Sequence, residues 1–188
     1  MAIKIYIDQG HNPVNPNAGA EGNGLREQDL VYDIGQRLAV LLRNDGNFEV
    51  KLSRPAPTTQ LGTSNTTSLA ARVNEANYWG ANYFISLHTN ASDIPSASGS
   101  EAFVYSRNSE SFVFGQYILS GLNQTTGLAD RGVFSRPGLY ILRKTQMPAV
   151  LVELGFITNY YDAMLMSTRP ELFARGIYYG LLEYFGLS

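Results

Sequence analysis

A chain of 188 residues with 44% apolar and 16% charged residues carries enough apolar material for one core and too little charge for disorder, so one domain over 1–188 is expected. Its formal net charge of −2 counts against nucleic acid and anionic membranes as partners, and no apolar run reaches the ~20 residues of a bilayer span. The absence of cysteine excludes disulfide staples, thiol catalysis and Cys-ligated zinc.

The first predicted element is a strand over Ile3–Ile7, β-rich and too evenly apolar to have a wet face. Residues 9–24, dense in Asn, Pro and Gly, read as a loop. A helix follows from Leu25 to about Leu42, with Leu30, Ile34, Leu38 and Leu42 four residues apart. Asn47–Arg54 is a second strand, and a polar loop leads to a helix over Ser68–Gly80. Tyr83–Leu87 is the third strand, Glu101–Tyr105 the fourth, and Ser111–Leu122 a helix. Leu139–Leu142 and Ala149–Val152 read as two short strands. Helices over Tyr161–Thr168 and Pro170–Phe185 close the chain, with Pro170 suited to a first turn. Alternating strands and helices predict an α/β fold: a twisted, mixed but mostly parallel sheet of about six strands with helices on both faces. No signal peptide is read ahead of Ile3, because no basic region, apolar stretch and small-residue cleavage site occur in sequence.

Ligands of open α/β sheets bind beyond the carboxyl ends of strands. Three such exits carry side chains able to do chemistry. The first strand delivers His11, the third delivers His88, and the run PAVLV delivers Glu153. His11 and His88 are the only two histidines of the chain, so their equivalent placement, beside a carboxylate, is more than a scatter of polar strand ends. Two histidines and a carboxylate form a common catalytic zinc set, leaving a fourth position for water. The residues alone leave the carboxylate open. Glu153 could fill the position, and so could Glu27 at the start of the first helix, where it could equally be a first-turn acid favoured by the helix dipole. Asp8, Glu21 and Asp29 are further rivals. If Glu27 is the ligand, Glu153 is free to act as a base toward a metal-activated water.

The segments IDQGHN, GLREQDL, LSRP, LAARVNEAN, FISLHTNAS, GSEAF and MPAVLVELGFITN, in this order, resemble the catalytic domain of zinc-dependent N-acetylmuramoyl-L-alanine amidases of the amidase 3 type. The resemblance runs through nearly the whole chain. It implies a Zn2+ cofactor held by His11, Glu27 and His88, with Glu153 as the catalytic residue. It also implies hydrolysis of the amide joining the lactyl group of N-acetylmuramic acid to L-alanine of the stem peptide. The partner implied is peptidoglycan, the setting the cell wall, outside the cytoplasm, and the expected state a monomer. A noncatalytic wall-binding module, or a zinc peptidase acting on another wall amide, is the alternative reading.

One departure stands out. The family loop reads Asp-Pro-Gly-His-Gly-Gly, whereas this chain has Asp8-Gln9-Gly10-His11-Asn12-Pro13. Gly10 and His11 are kept, and the loop beyond them is where individuality is expected. Regulated relatives carry an inserted helix over the metal site. Between Asn90 and Asp130 only one strand and one helix fit here, so an unplugged, constitutively competent domain is expected. Arg54, Arg72 and Glu101 match the family pattern and are expected to be structural. Asn90, two residues past His88, could orient a ligand or touch substrate and is left unassigned, support being the commoner role; Asn159 is read as a helix cap, and Tyr160, Tyr161, Tyr178, Tyr179 and Tyr184 as packing residues.

Overall fold

The computed structural model describes residues 2–187. Six strands form one sheet: β1 (Ile3–Gln9), β4 (Phe48–Leu52), β5 (Tyr83–Asn90), β6 (Ser100–Val104), β7 (Asp130–Ser135) and β8 (Ala149–Phe156). Their order is β4-β1-β5-β8-β6-β7. Every pairing is parallel except β6 against β8, the one antiparallel step. A two-stranded ribbon, β2 (Glu21–Gly22) with β3 (Leu25–Arg26), lies in the loop between β1 and α1 (Glu27–Asp45).

Side chains of successive strand residues point to opposite faces, and the two faces are covered by different helices. Ile5, Ile7, Ile85, Leu87, Val150, Val152 and Leu154 are buried with residues of α1, α3 (Glu110–Thr126) and α6 (Pro170–Phe185). Tyr6, Phe84, Phe103, Ala149 and Leu151 are buried on the other face with Val73 and Ala76 of α2 (Asn65–Trp79) and Ile141 and Leu142 of α4 (Tyr140–Lys144). The expected α/β sheet with helices on both faces is thus present. The α3–α6 contact is unusually close: a Cβ on Gly121 would collide with the backbone oxygen of Gly176, and one on Gly180 with the oxygen of Tyr117. Only glycine lets the two helix backbones approach this far.

Several boundaries differ from the sequence reading, each for an identifiable reason. The first helix starts at Glu27 instead of Leu25, because Leu25 and Arg26 are taken up by the ribbon. The second starts at Asn65 instead of Ser68, because Ser64 accepts from Thr67 N and Thr67 caps back in a capping box. Leu139–Leu142, read as a strand, belongs to a one-turn helix, α4. Periodicity cannot separate these states in so short an apolar run. The sixth strand is instead β7, which has no apolar alternation because only Val133 in it is buried. Asn159 caps α5 (Tyr160–Thr168), its side chain accepting from Tyr161 N and Asp162 N. Tyr160 and Tyr161 are 71% and 64% exposed, so the packing role expected of them is wrong: α5 presents them to solvent. Tyr179 is also exposed, whereas Tyr178 and Tyr184 pack against the core and donate to Asp45 and Glu110.

Candidate active site

The parallel strands β1, β5 and β8 end at the same edge of the sheet. At that edge His11 Nε2 lies 3.1 Å and His88 Nδ1 3.0 Å from Glu27 Oε1. One donor atom from each of the three residues lies within 4.8 Å of the others. The His11 and His88 rings meet edge to face, with centroids 4.8 Å apart. Tetrahedral bonds of about 2.0–2.1 Å to one ion would place its ligand atoms roughly 3.3 Å apart, close to the two histidine–carboxylate distances. Among the described residues this is the one such group, and it can hold a metal ion.

Each of these side chains is held by its surroundings. His11 has φ 65°, left-handed for a non-glycine residue. It is held there by Arg72, which is 1% exposed and whose Nη2 donates to the His11 backbone oxygen at 2.5 Å. Arg72 Nη1 also donates to Gln9 O at 2.7 Å and pairs with Asp8 Oδ1 at 2.5 Å, while Ser86 Oγ donates to Asp8 Oδ2 at 2.7 Å. Gly10 is required by close approach: a Cβ there would lie 2.6 Å from His88 Cε1. At Gly19 a Cβ would lie 2.8 Å from Glu27 Oε2. The departure residue Asn12 is fully buried; it donates to Pro16 O and Leu61 O and accepts from Leu61 N. It therefore takes over by side-chain stitching what a glycine pair would leave to backbone freedom.

Glu27, 3% exposed, accepts from Ala20 N through Oε2 and from Thr89 N through Oε1, both at 2.9 Å. Burial alone would raise its carboxyl, but hydrogen bonds from His11 and His88, and their charge, outweigh this and hold it well below the ordinary carboxylate range. Glu27 is therefore ionised. Glu153 is in the opposite position. It faces His88 across the β5–β8 ladder and Glu101 across the β8–β6 ladder. Its Oε2 is enclosed and has no hydrogen-bond partner. Burial first, then the negative charges of Glu27 and Glu101, push its carboxyl up to about 8. Glu101 itself accepts from Asn90 Nδ2 at 2.6 Å and from Arg131 Nε at 3.0 Å.

The expected site residues His11, Glu27, His88 and Glu153 thus meet at one edge, and of the rival carboxylates only Glu27 shares the histidines' donor cluster. Asp8 is spent on Arg72 and Ser86, and Asp29 pairs with Arg26 at the surface. Arg54 is buried, donating to Gln28 O and Pro57 O, which matches its structural reading. Asn90 supports Glu101 and not a histidine. His11 Nδ1 and Glu153 Oε2 are each enclosed and without a hydrogen-bond partner.

Residues 5–183 match the model of a family described as N-acetylmuramoyl-L-alanine amidase. The chain belongs to that amidase family. It is 34% identical over 190 residues to the sporulation-specific N-acetylmuramoyl-L-alanine amidase of Bacillus subtilis, an alignment covering 99% of this chain and 69% of that protein. The structure is similar to the catalytic domain of the amidase CwlV from Bacillus (Paenibacillus) polymyxa var. colistinus, with TM-score 0.86, 28% identity and 99% of both chains covered. It is also similar to an N-acetylmuramoyl-L-alanine amidase of Clostridium difficile 630, with TM-score 0.88 and 28% identity over 98% of this chain and 97% of that one. The edge that carries His11, Glu27, His88 and Glu153 therefore belongs to an amidase catalytic fold. Among its described residues no helix is long and apolar enough to cross a membrane.

Proposed function

We propose that this chain hydrolyses the amide between the lactyl group of N-acetylmuramic acid and L-alanine of the peptidoglycan stem peptide. We further propose that it does so as a monomer of one domain, in the cell wall, with a zinc ion held by His11, Glu27 and His88. Two imidazoles and one ionised carboxylate suit that ion and leave a position open for water or substrate. When bound, zinc supplies polarisation of the amide carbonyl and acidification of a water.

The observation that carries this reading is Glu153, enclosed beside His88 with an unpartnered Oε2 and a carboxyl raised to about 8. A carboxyl poised near neutral pH can both take and return a proton. Glu153 removes the proton of the attacking water and hands it to the departing alanine nitrogen. Glu101, held in place by Asn90 and Arg131, supports this by favouring the protonated form of Glu153 between transfers. His11 and His88 orient, and the Arg72 bracing fixes where the first of them stands.

The segment from Asn90 to Asp130 holds β6 and α3, with no second helix among its described residues, and the domain is proposed to work without an activator. The test is digestion of purified peptidoglycan by the purified chain, before and after chelation, with mass spectrometry of the products. New L-alanine amino termini that disappear on chelation and return with zinc are expected. Unchanged digestion without metal, new termini other than L-alanine, or near-zero turnover until a partner is added would overturn the corresponding part of the reading.

A further inference from the structure

Beyond Glu153, on the side away from the metal donors, the outer strands β6 and β7 form an open groove of about 620 Å³ whose lining includes Glu101, Phe103, Arg107, Arg131, Phe134 and Arg136. Three arginines in one groove are notable in a chain whose net charge is −2. Arg131 is tied to Glu101. Arg107 and Arg136 are exposed, their guanidinium carbons 5.3 Å and 5.0 Å from the ring centres of Phe112 and Phe103. Neither takes part in an ion pair among the described residues. Phe134 adds an apolar wall, 41% exposed. Planar guanidinium groups held over aromatic rings, with their N–H edges free, are suited to carboxylates.

We infer that this groove binds the stem peptide and that Arg107 and Arg136 receive the carboxylate of the residue after L-alanine. The inference rests on the proposed amide hydrolysis, and strand order gives it a direction. In the sequence β5-β8-β6-β7, His88 stands on one side of Glu153, and Glu101 and Arg131 on the other. The proton carried by Glu153 goes to the departing amine, so the peptide half of the substrate lies on the Glu101 side and the sugar half on the metal side. The distance also fits. Arg136 N bonds Val104 O at 2.8 Å, so Arg136 sits three strand residues, about 10 Å, beyond Glu101. Two extended peptide residues reach about 7 Å, and an arginine side chain spans the remainder. A peptide residue at that position can present such a group either as a free carboxylate or as a carboxamide. The groove selects the free carboxylate.

The experiment compares two muramyl peptides that differ only in that group, carboxylate or carboxamide, with the wild type and Arg107→Gln/Arg136→Gln. Binding of the corresponding free peptides is measured by NMR alongside turnover. The double variant is expected to raise KM for the carboxylate substrate about tenfold with kcat little changed, to leave the carboxamide substrate unaffected, and to lose binding of the carboxylate peptide. An unchanged KM, or equal losses on both substrates with the fold intact by circular dichroism, overturns the groove assignment while leaving amide hydrolysis standing. Carboxylate-selective peptide binding that depends on the arginines, in a wild type with no turnover, supports the groove and overturns the hydrolysis on which its orientation rests.

Discussion

The buried guanidinium of Arg72 holds the backbone oxygen of His11 at 2.5 Å and the buried carboxylate of Asp8 at 2.5 Å. One side chain on α2 therefore fixes both the end of β1 and the turn that aims the first histidine. Removing it strands the Asp8 charge. Arg72→Met is expected to cost about 3–5 kcal/mol of stability and to weaken metal binding even though it touches no donor atom. Urea denaturation and metal titration of the same preparation check this; a fully stable variant with unchanged metal affinity would show the bracing to be dispensable.

The two glutamates should separate cleanly by what their loss removes. Glu27→Ala is expected to purify without stoichiometric zinc, since it deletes the carboxylate on which both histidines converge. Glu153→Gln is expected to keep the metal and lose turnover by ~10²–10⁴-fold. Metal analysis with a turnover assay decides, and loss of zinc from the Glu153→Gln variant would make Glu153 a ligand.

The pH dependence of the chelated protein follows from Glu153. Its folded carboxyl titrates at about 8, above the ordinary 4.5, because burial and the charges of Glu27 and Glu101 favour the protonated form. A folded pKa above the unfolded one means stability that is complete below about pH 4.5 and lost as pH rises through 8. Metal-free wild type is therefore expected to lose stability relative to Glu153→Gln across that window. Denaturant midpoints from pH 5 to 9 are the measurement, and parallel curves would contradict it.

Gly121→Ala tests the helix layer far from the chemistry. Its Cβ would collide with the Gly176 oxygen, so α3 and α6 must part. A loss of about 1–3 kcal/mol is expected, read as a lower melting temperature with zinc content unchanged per folded molecule.

Much of the architecture was legible because buried strands announce themselves. β1, β5 and β8 are apolar runs, and each ends at a side chain that could not belong to the run: the loop to His11, then His88 and Glu153. What escaped was structure held by context. β7 (DRGVFS) is an edge strand with one buried residue, so it has no alternation to read. Leu139–Leu142 was apolar in either state, and α4 is decided by packing on β8 and α2. Glu27 could not be told from a helix-dipole acid by composition; its role depends on Gly19 and Thr89 bringing backbone against it. Asn12 marked a loop expected to differ from the family's, without showing how, and is a buried clasp. The arginine groove was invisible because its members come from different strands and their ends and meet only through the β6–β7 register.

The single antiparallel step between β8 and β6 has an effect on how such a protein can change. It brings one carboxylate to the cleft as its strand departs and another as its strand arrives, on two separately connected stretches of chain. Changes of length or sequence in the connection before β6, or in the turn leading into β7, would reshape that outer side of the cleft. β1, β5 and β8 would keep their register, and with it the spacing of the donor atoms. Substrate choice can drift in this layout while the reactive centre stays as it is.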